Sequence, residues 1–416
     1  MFKSELVSNI LHSYSSRIIL IALGLLGNVI ITRSLGVDNY GTYTLLLTII
    51  AIATQFGNFG LHSANIYYVA QKKMFLGMLL KNSIWFSFFI SLIVGLVIYF
   101  LNFYYPSILN IEPDLLYLAL IFIPISLMSL LLKNLLVGIG EIKLDNKLTI
   151  YTRIITTLIL VCIVSFFNID VMIVISIFGI GLLIDFFLVY SKLKKEITYR
   201  YKLSVKLLKK VSTFGFKAYL SAIFAFLVLK SDLFFVNYYL TKTDLGHYSL
   251  AVSFIDYIYI LPVVIGTVLF QKLSSLKKND EKYNLMKKIT FTFSGVYFVF
   301  LVIVYFLSEY LITFLYGEQF RDSVILVNLL LIGIFFMGIE TIQVQYLNTI
   351  GFPKEIIYYW IIALFINIAI ILNFIEQYGL VAVAMSTVIS YFTIFVLITF
   401  NILKKRNKTF IGNKNQ

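Results

Sequence analysis

Long apolar stretches separated by short polar gaps run along the whole chain. Each stretch is close to the ~20 residues with which an α-helix crosses ~30 Å of hydrocarbon. Hydrophobic residues make up 60% of the chain and charged residues 13%, which is far from the balance of soluble domains. The pattern predicts twelve membrane-spanning helices, at about 17–32, 43–60, 82–101, 115–136, 149–167, 171–190, 216–239, 248–270, 289–306, 324–346, 356–374 and 379–400.

Lysine and arginine are concentrated in every second gap between these stretches. Of the 34 basic residues, 30 lie in or near the two ends of the chain and the gaps after the even-numbered stretches. The other side of the membrane has Arg33, Lys242 and Arg321, and Lys230 lies inside the seventh stretch. Because basic residues are retained on the cytoplasmic side, both termini are predicted to be cytoplasmic. The net charge of +14 follows from this topology, so a nucleic-acid partner is not expected.

Two short motifs recur half a chain apart. Segments 35–43 and 240–248 share the pattern Leu-x5-Gly-x-Tyr, and segments 136–143 and 347–354 share Leu-x2-Ile-Gly-x2-Lys. Six predicted spans separate the two copies of each motif, so both copies lie on the same side of the membrane. This is the pattern of a parallel repeat about an axis along the membrane normal. Similar loop chemistry without duplication is the alternative.

The repeat divides the chain into two halves joined by a basic segment. We predict an N-terminal six-helix bundle at 1–190, a cytoplasmic linker at 191–215, a C-terminal six-helix bundle at 216–402 and a basic cytoplasmic tail at 403–416. The apolar positions of the linker suit a helix lying in the membrane interface, and a solvated linker is the alternative.

Several short motifs resemble those of polysaccharide flippases of the Wzx type. These are Thr32–Gly36 with Tyr40–Tyr43, Lys230–Asp232 followed by Leu245–Ala251, and Leu315–Phe320. The flippases belong to the multidrug/oligosaccharidyl-lipid/polysaccharide exporter superfamily. The resemblance implies an all-α, V-shaped exporter with a central cavity, not an enzyme. It further implies alternating-access transport of an undecaprenyl-pyrophosphate-linked O-antigen or capsule repeat unit across a bacterial inner membrane.

Such a substrate carries an anionic pyrophosphate, so charged residues within the spans are the candidate site. Depth counting at 1.5 Å per residue separates a group near the cytoplasmic ends from a deeper group of Lys230, Asp232 and Asp256. Spans 7 and 8 are antiparallel, so Lys230 and Asp256 are expected to meet, either as a breakable gate or as a permanent packing pair. The headgroup candidates are Arg17, Arg33, Lys133, Arg153, Lys217 and Lys230, and the ion-coupling or gating candidates are Asp185, Asp232, Asp256 and Glu340.

The sequence contains no motif that indicates a cofactor. The lone Cys162 excludes an internal disulfide, and no metal site is expected. Coupling to an H+ or Na+ gradient and passive equilibration both stay open. By the resemblance, the partners are the lipid-linked oligosaccharide, membrane lipids, a polysaccharide polymerase and a chain-length regulator. The alternatives are a multidrug exporter of the same superfamily and a membrane polysaccharide polymerase, which would carry a larger external loop.

Overall fold

A computed structural model describes the backbone of residues 2–197, 204–351 and 353–414. It describes side chains from residue 16 to residue 406 within those ranges, except at 210, 214, 217 and 218. All regular structure in these residues is helical. The α-helices are α1 Phe2–Gly57, α2 Leu61–Gln71, α3 Leu76–Tyr104, α4 Pro106–Leu109, α5 Pro113–Gly138, α6 Ile142–Phe166, α7 Val171–Lys195, α8 Val205–Lys230, α9 Asp232–Tyr239, α10 Lys242–Ser275, α11 Asn279–Tyr316, α12 Ser323–Thr349, α13 Glu355–Tyr378 and α14 Leu380–Lys414.

Eleven helical segments of the described chain are long and apolar enough to cross a membrane. The first of them, Ser16–Gly57, has 42 residues. It contains the first predicted span and the second predicted span as far as residue 57. Its helical backbone is interrupted at Gly36, where φ is 75°. The amide of Asn28 donates to the hydroxyl of Tyr40 at 3.2 Å, although twelve residues of straight helix would separate them by ~18 Å. The chain therefore turns back at Gly36, and the segment supplies two crossings.

The chain forms two compact units, Met1–Phe226 and Leu227–Gln416. In the first unit α5 is the central helix and packs against α1, α2, α3 and α7. Leu127, Leu131 and Leu135 on α5 are fully buried. Small residues bring these helices together, because lipid tails provide no hydrophobic drive for association. At Gly179 of α7, a Cβ atom would lie 2.0 Å from the Phe122 ring of α5.

In the second unit the central position belongs to α12, which packs against α10, α11 and α14. A glycine again allows close packing, since a Cβ at Gly338 would lie 2.6 Å from the ring of Tyr297 on α11. The Tyr297 ring stacks in turn on Phe293.

The two units repeat each other in local backbone structure. The motif at 136–143 ends α5 and the motif at 347–354 ends α12. Gly140 and Gly351 occupy the same motif position and both have positive φ, 94° and 114°. Leu136 and Leu347 are both fully buried. The all-α fold with internal duplication is therefore confirmed.

The copies differ where α1 ends. In the second unit α10 continues through Pro262 to Ser275 as one helix. In the first unit the chain breaks after Gly57, with positive φ at Phe59 and Gly60, before α2 begins. A Cβ at Gly60 would lie 2.3 Å from the carbonyl oxygen of Gly215 on α8. The break thus allows the two backbones to touch.

The described part of the predicted linker forms the ends of two long helices. Helix α7 extends to Lys195, and α8 runs without interruption from Val205 to Lys230. Residues 198–203 of the predicted linker lie outside the described residues. The two compact units meet in sequence within α8, at Phe226. The domain boundaries at 190 and 216 stay a prediction.

Candidate functional site

Two predicted site residues of the second unit form an ion pair. Nζ of Lys230, the last residue of α8, lies 2.8 Å from Oδ2 of Asp256 on α10. Asp256 is the only charged residue of α10 between Asp244 and Lys272, ~18 Å and ~24 Å away along the helix. Its side chain is nevertheless 53% exposed. A carboxylate at membrane depth faces a water-filled cavity or an ionic partner rather than lipid, and Lys230 is such a partner for Asp256.

Asp232 begins α9, immediately after the interruption at Ser231, and is buried. Lys230 and Asp232 are two residues apart and, as expected at that spacing, they bind different partners. Its Oδ2 accepts a hydrogen bond of 2.5 Å from the hydroxyl of Tyr248, and its Oδ1 accepts one from the backbone N–H of Leu233. The same hydroxyl lies 3.5 Å from Oγ1 of Thr387. One carboxylate therefore joins α9, α10 and α14.

Glu340 lies on the central helix α12 and is 2% exposed. The hydroxyl of Tyr259 on α10 lies 2.8 Å from Oγ1 of Thr341, the next residue along α12. Tyr259 interacts electrostatically with both Glu340 and Asp256. Since Tyr248, Asp256 and Tyr259 share one face of α10, polar groups follow this face from α9 to α12.

A second polar cluster lies in the first unit and joins α5, α6 and α7. Nζ of Lys133 lies 3.1 Å from Oδ2 of Asp185 and donates to Oγ1 of Thr149 at 2.8 Å. Asp145, one turn before Thr149, interacts electrostatically with both Lys133 and Asp185. The Oδ1 atoms of Asp145 and Asp185 are buried without a hydrogen-bond partner. One cation thus faces two carboxylates that retain free acceptor positions for a proton, a water molecule or a ligand donor.

The remaining basic candidates differ in exposure. Arg17 is half-buried in α1, whereas Arg33, near the turn at Gly36, and Arg153 on α6 are exposed. The side chain of Lys217 lies outside the described residues. Of the candidate cations, the structure therefore brings Lys133 to Asp185 and Lys230 to Asp256.

Sequence reasoning missed three members of these clusters. Asp145 lies in the predicted gap between the fourth and fifth spans, although its position four residues before Thr149 places both on one helix face. In the sequence, Tyr248 stands out only as part of the repeated motif at 240–248. Its burial beside Asp232 depends on how α9 packs on α10. Thr387 carries no sequence signal that distinguishes it from other threonines in the spans.

Known protein families and solved structures agree with this architecture. The family described as polysaccharide biosynthesis protein has a model that matches residues 30–325, and the chain belongs to that family. No curated protein sequence matches the chain. The predicted resemblance to flippases of the exporter superfamily is confirmed. The prediction of a multi-pass membrane protein is confirmed as well.

Solved structures show the same fold at low identity. A structure of the lipid II flippase MurJ in an inward closed conformation has a TM-score of 0.71 and 18% identity, covering 95% of this chain and 87% of that one. An inward-facing multidrug resistance MATE family transporter of the MOP superfamily has a TM-score of 0.73 and 11% identity, covering 93% of this chain and 96% of that one. A variant of the MATE transporter VcmN from Vibrio cholerae has a TM-score of 0.67 and 14% identity, with 97% of each chain covered.

Proposed function

We propose that this protein is a flippase that moves an undecaprenyl-pyrophosphate-linked oligosaccharide repeat unit from the cytoplasmic to the outer leaflet. The membrane is a bacterial inner membrane, both termini are cytoplasmic, and the product supplies surface polysaccharide synthesis such as O-antigen or capsule. The protein works by alternating access and performs no covalent chemistry. The family match to polysaccharide biosynthesis and the fold shared with MurJ support the substrate class.

The observation that carries the proposal is the Lys230–Asp256 pair. A half-exposed carboxylate in the apolar middle of α10 has a lysine as its ionic partner. A lysine and an acid in direct contact there can exchange partners when an anion arrives. The pyrophosphate would compete with Asp256 for Lys230 through charge-assisted hydrogen bonds. The released carboxylate would then take a proton or face water.

Ion coupling has two candidate locations. In the second unit Asp232 and Glu340 are buried acids, and in the first unit Asp185 retains a free Oδ1 atom beside Asp145. An H+ or Na+ gradient acting at these carboxylates would bias the inward–outward equilibrium. No resident cofactor is part of the proposal. A polymerase and a chain-length regulator would act on the delivered repeat unit.

A multidrug exporter is the second candidate, and the likeness to MATE transporters favours it. Both candidates use the same fold, so the substrate decides between them. Lys133 and Lys230 neutralise carboxylates at membrane depth. This arrangement fits an anionic substrate better than a cationic drug, which a carboxylate without a lysine partner would attract.

Deleting the gene and assaying the leaflet of the lipid-linked repeat unit tests the proposal. Accumulation of completed single units on the cytoplasmic leaflet is expected. Units that reach the outer leaflet but remain unpolymerised would contradict it and indicate the polymerase. Unchanged repeat units together with increased drug sensitivity would indicate the exporter.

A further inference from the structure

An apolar groove of about 280 Å³ lies on the first unit, outside the polar clusters. One wall is a single face of α3 that includes Trp85, Phe89 and Ile93, and the other includes Leu208 of α8. The indole of Trp85 stacks on the ring of Phe89, with centroids 5.5 Å apart. The three α3 side chains are about half exposed. The groove is therefore open along its length.

The length of the groove matches one leaflet. From Asn82 to Ile93 the lining residues span eleven positions of α3, or ~16 Å. Half of a ~30 Å hydrocarbon core is ~15 Å. A phospholipid acyl chain in one leaflet has this reach, whereas a polyprenyl chain is much longer. The dimensions favour a membrane phospholipid over the lipid-linked saccharide as the occupant.

One end of the groove is polar and basic. Asn82 lies at this end and binds the residue that precedes α8. Its Nδ2 donates to the carbonyl oxygen of Ser204 at 2.9 Å, and its Oδ1 accepts from the Ser204 N–H at 3.1 Å. Lys81 directly precedes Asn82, and Lys206 comes two residues after Ser204. Both lysine side chains are exposed. The two hydrogen bonds thus place both lysines at the height of this end. Lys206 is two residues before the groove-lining Leu208 and therefore lies on the opposite side of α8, so Lys81 is the cation beside the groove.

Lys81 and Trp85 are also one helical turn apart on α3, so they share a face. A tryptophan below a lysine is the arrangement with which membrane proteins mark the boundary between hydrocarbon and headgroups. The first turn of α8 contains no acidic residue. The basic end of the groove therefore complements a negatively charged headgroup in the leaflet that the topology predicts to be cytoplasmic.

We infer that this groove is a binding site for one anionic phospholipid, with an acyl chain along α3 and the phosphate at Lys81, beside the start of α8. The lipid contacts α8 through Leu208, and α8 is the helix that continues from the first unit into the second. Bound lipid stabilises the start of α8 on α3. The inference is independent of the transported substrate.

Fluorescence quenching by brominated lipids tests the site directly. The chain has two tryptophans, and Trp360 is buried in the second unit. In a Trp360→Phe background Trp85 is the sole reporter. The protein is reconstituted in vesicles containing brominated phosphatidylglycerol or brominated phosphatidylcholine at increasing mole fractions. Quenching is expected to saturate at a much lower fraction of phosphatidylglycerol.

Lys81→Gln should lose about 5-fold of that selectivity, at about 1 kcal/mol for a lysine near an anionic surface. Lys206→Gln is the matched control, because it removes an exposed lysine at the same height on the opposite side of α8, and it should leave the selectivity unchanged. The inference is overturned if the two lipids quench equally. It is also overturned if both variants act alike, or if polyprenyl pyrophosphate relieves the quenching but unlabelled phosphatidylglycerol does not.

Discussion

The hydroxyl of Tyr248 donates a hydrogen bond of 2.5 Å to Oδ2 of Asp232, and both residues are buried. A tyrosine also joins the first two spans of the first unit, where the amide of Asn28 donates to the hydroxyl of Tyr40. The repeat pairs Tyr248 with Tyr43 rather than with Tyr40, so the two contacts occupy different positions of the repeat. An amide has no charge to gain or lose, whereas a carboxylate does, and of these two contacts it is the one in the second unit that contains a titratable group.

Removing the Tyr248 hydroxyl should destabilise the second unit. Tyr248→Phe leaves a buried carboxylate oxygen without its donor, which costs about 1–3 kcal/mol. Thermal unfolding of the detergent-solubilised protein measures the loss. Tyr297→Phe is the matched control, since the hydroxyl of Tyr297 is buried without a hydrogen-bond partner, and it should change stability little. Equal effects in both variants would mean that Tyr248 acts through packing alone.

A charge swap should separate a gate from a packing contact at Lys230 and Asp256. Lys230→Ala and Asp256→Ala each remove one member of an ion pair at membrane depth, so both should reduce transport strongly. Lys230→Asp/Asp256→Lys restores the pair. If the pair only fixes packing, the swap should recover both transport and stability. If Lys230 also meets the anionic substrate, the swap should recover stability but not transport, which is the result we expect.

The control for this swap is an ion pair at the surface. Arg321 pairs with Glu309, and both side chains are more than half exposed. Because solvent screens exposed pairs, which therefore contribute little to stability, Arg321→Ala should leave stability and transport nearly unchanged. A large effect there would show that the assay responds to any lost charge.

The cluster around Lys133 should show strong coupling between its members. Lys133→Met leaves Asp185 and Asp145 facing each other without a cation, which should cost about 3–5 kcal/mol. Asp185→Asn in the same chain removes one of the two charges and should restore part of that loss. A double-mutant cycle on unfolding free energies measures the coupling. Additive effects would contradict a direct interaction between Lys133 and Asp185.

Packing of α7 against α5 depends on the missing side chain at Gly179. Gly179→Ala would place a methyl group against the Phe122 ring and should destabilise the first unit by about 1–3 kcal/mol. Gly95→Ala is the control, because a Cβ there meets no atom within 4 Å. Both changes gain helix propensity equally, so the difference in unfolding temperature reports the contact. No difference would show that Phe122 moves aside freely.

Stability should fall in mild acid because of His62. Its Nδ1 lies 2.8 Å from Oδ1 of Asn58, and its Nε2 lies 2.8 Å from Oγ of Ser63, which suits a neutral imidazole. Burial lowers the pKa of His62 below its ordinary value of 6.5. The unfolded chain therefore binds a proton first, and stability is complete above pH ~6.5 and decreases below it. Unfolding measured from pH 8 to pH 5 should lose part of this slope in His62→Gln. An unchanged slope would assign it to other groups.

Much of the fold could be predicted because membrane crossing imposes a length and a polarity on each segment. The positions of the spans and the duplication both follow from linear patterns. The contact between Lys230 and Asp256 was also predictable, since consecutive antiparallel spans bring residues of equal depth together. Depth counting gives height along a helix but not the direction in which a side chain points.

The partners that sequence reasoning missed are those that depend on direction. Asp145 joins Lys133 only because three helices converge at that height. Tyr248 and Thr387 meet Asp232 through the packing of α9, α10 and α14. The turn at Gly36 was placed correctly between two spans, whereas the interruption at Ser231 within a predicted span follows no local glycine or proline signal.

Flipping by the purified protein tests the central claim most directly. The protein is reconstituted in liposomes with a labelled undecaprenyl-pyrophosphate oligosaccharide, and a membrane-impermeant enzyme reports the label exposed on the outer leaflet. The proposed function predicts that wild-type protein exposes the label held initially on the inner leaflet, and that Lys230→Ala is much slower. Label that stays protected with wild-type protein at the rate of empty liposomes, while a cationic dye is transported, would contradict it.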